Sequence, residues 1–149
     1  MNHTEISWMG YKRKDGRKGI RNRVLVIYTV KCAEHVARKI VDEVHHPEVE
    51  LLGFDGCTDN QYAVNMLISL IRHPNVGAVL TVGLGCEYVQ PEWLEKIALQ
   101  EEKISSWIRI QDEGGTVPSI KKGVAWVREA LKELEHTPRV QMTLQDLVI

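Results

Sequence analysis

The chain has 149 residues, enough for one buried core, and its 44% hydrophobic and 26% charged side chains are a globular rather than a disordered balance. Its formal net charge is −1, from 19 basic and 20 acidic side chains, so no strong field favours nucleic acid or an anionic membrane as a partner. No apolar stretch is long enough to span a bilayer, and the polar start, Met1 to Gly10, lacks the apolar stretch of a secretory signal, so the expected setting is cytoplasmic.

Residues 1–22 show no clean periodicity. They read as a glycine-containing loop segment in which Lys12, Arg13, Lys14, Arg17, Lys18, Arg21 and Arg23 crowd together, a patch able to meet an anion such as a carboxylate. A Rossmann-like domain is expected over 23–149. Val24 to Val30 is a continuous apolar, β-branched run, as in a strand covered on both faces. Ala33 to Val44 carries apolar residues at helical spacing. Val49 to Phe54 is a second strand. Asp59 or Asn60 can cap a helix from Gln61 to Arg72, which His73-Pro74 ends. Val76 to Leu84 is a third strand, followed by a helix with Pro91 in its first turn and Trp93, Leu94, Ile97 and Ala98 on its buried side. Ser106 to Ile110 is a fourth strand, and Val117 to Leu134 the longest helix, broken by Pro138. Arg139 to Ile149 is read as a last short strand or a linker. Strands alternating with helices imply an α/β, three-layer Rossmann-like fold with a mostly parallel sheet of about four to five strands.

Ligands of such sheets bind beyond the carboxyl ends of the strands. Those ends are followed by Lys31-Cys32, Asp55-Gly56-Cys57, Gly85-Cys86-Glu87 and Gln111 to Thr116. All three cysteines therefore fall just past successive strands. Free cysteine is commonly a small buried hydrophobe. Here two of the three follow glycine in loops, which favours thiol chemistry, and thiolates suit iron–sulfur clusters and zinc. Cys32, Cys57 and Cys86 are accordingly candidate metal ligands, for iron (Fe2+ or a cluster) or another divalent metal that would polarise a departing hydroxyl. A nucleophilic Cys32 at a helix start is the competing reading. Gly83-Leu84-Gly85 and Gly114-Gly115-Thr116 are turns whose N–H groups could hold an oxyanion. The first strand lacks a G-x-G-x-x-G sequel, which disfavours a dinucleotide. His45, His46 and His73 sit at helix ends and read as caps, while Trp93 and Trp126 read as packing.

Several motifs then fall into order. Gly10-Tyr11-Lys12-Arg13 with Asp15-Gly16-Arg17-Lys18-Gly19-Ile20-Arg21-Asn22 resembles the G-Y-x-R-x-D-G-R-x-G-x-R-N opening of the altronate/galactarate dehydratase catalytic domain. Thr29-Val30-Lys31-Cys32, Gly56-Cys57, His73 to Leu80, Gly83-Leu84-Gly85-Cys86-Glu87 and Gln111 to Thr116 resemble its later segments. The resemblance implies a metal-assisted hydro-lyase acting on a sugar acid or related hydroxycarboxylate. Glu87 and Glu113 would be the catalytic candidates, and Arg17, Arg21, Asn22, Gly85 and Thr116 the substrate contacts. Arginine suits bidentate carboxylate binding. Two departures stand out. The segment after Cys57 is shorter than the family's, with Phe54 and Asp55 where a His usually precedes the Gly-Cys pair, and the family's following C-G-G-S-D block is absent after Thr143 to Ile149. The expectation is thus a fragment or separately encoded subunit, completed by a second polypeptide and inactive alone. A homo-oligomer is compatible with it. The alternative is a non-catalytic anion- or metal-binding module, or a partner subunit of a split dehydratase or sulfo-lyase.

Overall fold

The computed structural model describes residues 6–149; the start of the expected 1–22 segment, residues 1–5, lies outside the described residues. In chain order the elements are β1 (Ser7–Lys12), β2 (Lys18–Gly19), β3 (Arg23–Tyr28), α1 (Lys31–Val44), β4 (Val49–Gly53), α2 (Gln61–Arg72), β5 (Val76–Gly83), α3 (Pro91–Gln100), β6 (Ile104–Arg109), α4 (Thr116–Leu134) and β7 (Arg139–Thr143), with a short 3₁₀ turn at Leu144–Asp146.

Four parallel strands form the central sheet in the order β4-β3-β5-β6. β5 is buried at every position, as a strand covered on both faces must be. Val24 and Val26 of β3 join Ala78, Leu80 and Val82 of β5 in a core with α1 and α4. Leu25, Ile27 and Val79 point the other way, into a core with α2 and α3. The result is the three-layer α/β fold expected, with the helices placed as their apolar stripes require. Asn60, rather than Asp59, caps α2, its Oδ1 accepting from the Ala63 N–H at 3.1 Å. Pro91 opens α3 as expected, and His73 ends α2 while its Nδ1 accepts from the Asn75 N–H.

The N-terminal segment departs from the loop expectation. β1 pairs antiparallel with both β2 and β7, making a second, three-stranded sheet in the order β2-β1-β7. The last short strand is therefore present, but it leaves the parallel sheet to pair with the start of the chain. Trp93 is a second departure: it is 42% exposed rather than on the buried side of α3.

Candidate functional site

β3 lies between β4 and β5, so the chain leaves β3 in one direction and later returns past it to β5. α1 covers one face and α2 and α3 the other. The strand order thus reverses between β3 and β5, and the crevice beyond their carboxyl ends is where an open parallel sheet takes a ligand.

A buried hydrogen-bond clamp closes the bottom of this crevice. Thr29, just past β3, is fully buried, and its Oγ1 donates to Glu87 Oε1 at 2.6 Å. Glu87 also accepts from the Leu84 N–H at 2.9 Å and the Gly85 N–H at 2.7 Å. Burial pulls the Glu87 pKa up, but the hydrogen bonds from Thr29, Gly85, Glu87 and Leu84 outweigh it and hold the carboxyl below its usual range. Glu87 is therefore an ionised tie between the ends of β3 and β5, with both oxygens occupied. Gly83 makes room for it: a Cβ there would stand 2.2 Å from Glu87 Oε1. Gly85 has φ +137°, and an added Cβ would meet the Gln111 side chain, so the fourth strand-end loop leans on the third.

The three thiols are exposed. Cys57, Cys32 and Cys86 follow β4, β3 and β5, three adjacent strands, so they stand in a row along this edge. The Tyr88 N–H donates to Cys57 O at 3.0 Å, joining two of the cysteine loops. Among the described residues, however, no group of three His, Cys, Asp or Glu side chains is arranged to hold a metal ion. The thiols share an edge without forming a three-ligand centre.

Gly114 and Gly115, at φ +84° and +112°, turn the chain into α4, whose first residue is Thr116. Neither α4 nor α1 has a side-chain cap. Their leading N–H groups point to the same edge, a setting that suits an anion. Glu113 pairs with Lys122. Three further polar groups stand here that sequence reasoning did not single out: Thr29, Lys31 and Arg109. Lys31 pairs with Glu34 and lies 3.8 Å from Asp55. Arg109 pairs with Glu92 and, at 2.9 Å, with Asp112. Thr29 and Lys31 sit at the end of the first apolar run, and that position was the available signal; Arg109 lies within the fourth strand expected.

The expected substrate contacts are not brought together. Gly85 and Thr116 lie at the carboxyl edge. Arg17, Arg21 and Asn22 lie at the amino edge, about 25 Å away along an eight-residue strand such as β5 at about 3.3 Å per residue. Arg17 donates to Arg72 O at the end of α2, and the Ile20 and Arg21 N–H groups donate to Asn75 Oδ1 ahead of β5. Asn22 is buried and saturated, accepting from Arg13 and donating to Leu134 O and Thr137 Oγ1. Four of the seven basic side chains of the patch are also paired in place with carboxylates. Arg17 pairs with Asp15 at 2.7 Å, Lys18 with Asp146 at 3.0 Å, Arg23 with Glu50 at 3.1 Å and Lys14 with Glu102 at 3.9 Å. Arg13 is spent on Pro74 O, Arg21 O and Asn22. Apart from Asp15, the carboxylates that answer this patch come from distant segments, so a short basic run read alone overstates the free charge.

Among the described residues, no helix is long and apolar enough to cross a membrane. Residues 10–135 match the family described as "D-galactarate dehydratase/Altronate hydrolase, second domain". The chain is 26% identical to an altronate dehydratase of Bacillus subtilis (strain 168), over 96% of this chain and 31% of that protein. It is 36% identical to an altronate dehydratase of Escherichia coli (strain K12), over 52% of this chain and 18% of that protein. To the (2R)-sulfolactate sulfo-lyase subunit beta of Chromohalobacter salexigens it is 27% identical, over 89% of this chain and 35% of that subunit. The matched stretch thus spans at most about a third of each of these relatives.

Proposed function

The chain belongs to the D-galactarate dehydratase/altronate hydrolase family, in the part described as its second domain, and on that premise we propose that it supplies one section of a lyase that eliminates water from a sugar acid or related hydroxycarboxylate. The observation that carries the reading is the match over residues 10–135. In such an elimination a base removes the proton beside the carboxylate, an enediolate carries the charge, and the β-hydroxyl leaves. The carboxyl edge supports each part of this differently. The uncapped starts of α1 and α4, with Gly114 and Gly115, offer N–H donors to a carboxylate or enediolate. Thr116 is the side chain beside those donors. Glu87 positions the Gly83–Cys86 turn rather than moving a proton, because its oxygens are occupied. Glu113, half-buried, is the carboxylate we assign to proton transfer. Arg17 and Arg21 stand apart from this edge, at the amino ends of the strands.

A bound iron or other divalent ion would polarise the departing hydroxyl. Cys32, Cys57 and Cys86 do not by themselves form a three-ligand site, so such an ion would take further ligands from outside this chain, and no step is assigned to it. The remaining catalytic region, in this reading, lies outside residues 1–149, and the complete enzyme works in the cytoplasm. A second reading, favoured by the likeness to a sulfo-lyase subunit, is elimination of sulfite from a sulfolactate. The test is calorimetric titration of the chain with altronate, galactarate and sulfolactate beside adipate, a dicarboxylate without hydroxyls. Binding of at least one hydroxylated acid and not of adipate is expected. Silence from all three, or equal binding of adipate, contradicts the proposal, and a response to sulfolactate alone selects the second reading.

A further inference from the structure

A cavity of about 420 Å³ opens between the start of α2 and the loop leading from β5 into α3, within the size range of small-molecule sites. Tyr88 and Trp93 line it and remain 65% and 42% exposed. Val64 and Val89 line its buried part. Of its polar residues, Gln90 is already committed, donating to Glu87 O and accepting from Arg109 Nη2. Asp59 also lines the cavity, is the one charged residue there, and has no ion-pair partner among the described residues. Since Asn60 is the cap of α2, Asp59 is not spent on the helix start either. No cationic side chain lines the cavity.

We propose that this cavity binds an organic cation, a guanidinium or ammonium group. Two independent features converge on that charge. Aromatic rings attract a cation through their negative faces, and an unpaired carboxylate attracts it through its formal charge. The same carboxylate repels an anionic sugar acid, so this pocket, on the same edge of the sheet, takes a different ligand from the neighbouring crevice and does not depend on the lyase reading. The Tyr88 N–H bond to Cys57 O ties one aromatic wall to a cysteine loop of that crevice, which makes the two sites neighbours. The cation is either a free amine or the side chain of an arginine or lysine on another polypeptide.

The experiment is an NMR shift titration of the ¹⁵N-labelled chain with agmatine and, separately, with N-acetyl-arginine amide, using galactarate as the anionic control. Saturable shifts at the Trp93 indole N–H and the Tyr88 amide are expected with the cations. Affinity should fall roughly fivefold in Asp59→Asn and again in Trp93→Leu. Tighter binding of agmatine assigns the site to a free amine, and tighter binding of the blocked arginine to a polypeptide side chain. Absence of saturable shifts with both cations, affinities unchanged in both variants, or an equal shift of the Trp93 indole N–H with galactarate would overturn the proposal. Asp59→Asn is isosteric and at an exposed position, so it tests the charge without disturbing the core.

Discussion

Glu87 is 3% exposed and shares its two oxygens among Thr29 Oγ1 and the N–H groups of Leu84 and Gly85. Because those bonds hold its pKa below the ordinary value despite burial, the unfolded chain takes up the proton first on acidification. The stability it contributes is therefore complete above the unfolded value of about 4.3 and is lost as pH falls through the folded value. Glu87→Gln, which turns an acceptor pair into a partial donor facing two N–H groups, should cost about 2–4 kcal/mol in urea unfolding at pH 7 and remove part of the acid sensitivity. A variant as stable as the parent, with the same acid limb, would refute the clamp. Lys103 carries the opposite charge, yet its stability slope with pH has the same sign. Burial, then repulsion from Arg13 and Arg17, lowers its pKa to about 8, while its Nζ donates to His73 O and Val76 O. Between about 8 and the unfolded value near 10.4 the unfolded chain binds more protons, so stability should rise with pH across that window, by up to about 3 kcal/mol. Lys103→Met should lack this rise; an identical pH profile in the variant would show that the ammonium is not desolvated.

At the scale of elements, α1 and α4 meet closely at Gly123, where a Cβ would stand 2.2 Å from Ile40 Cδ1. Gly123→Ala should cost about 1–3 kcal/mol by overpacking, read as a lower melting temperature, although alanine is the better helix former. A rise in melting temperature would mean that Ile40 moves aside freely. The helices and the four parallel strands were legible because their apolar runs and stripes lie within one segment each. β1 was not. Its pattern is interrupted by Gly10, which reads as a loop glycine but is required by packing: a Cβ there would lie 1.9 Å from Met142 Sδ on β7. The cysteine row was legible, since it follows from where strands stop. The Thr29–Glu87 tie was not, because it joins residues 58 apart in sequence and exists only once β3 and β5 are neighbours. The surplus charge of the N-terminal segment was misread for the same reason, its counter-charges being as distant as Asp146 and Glu101.

For the molecule as a whole, the parallel sheet has two unlike edges. The amino edge is a structural seam, where Arg13, Asn22 and Lys103 satisfy buried carbonyls and the second sheet pairs β1 with β7. The carboxyl edge is open, with three exposed thiols, the uncapped starts of α1, α3 and α4 and the loops held by Glu87. In the proposed function, ligand binds at the carboxyl edge. The direct measurement is an amide chemical-shift map of the chain titrated with galactarate. Shifts concentrated at Cys32, Cys57, Gly85, Cys86, Gly115 and Thr116, with Arg17, Arg21 and Asn22 unmoved, are the predicted result. Shifts confined to Arg17, Arg21 and Asn22 would contradict the account and return the carboxylate to the basic segment.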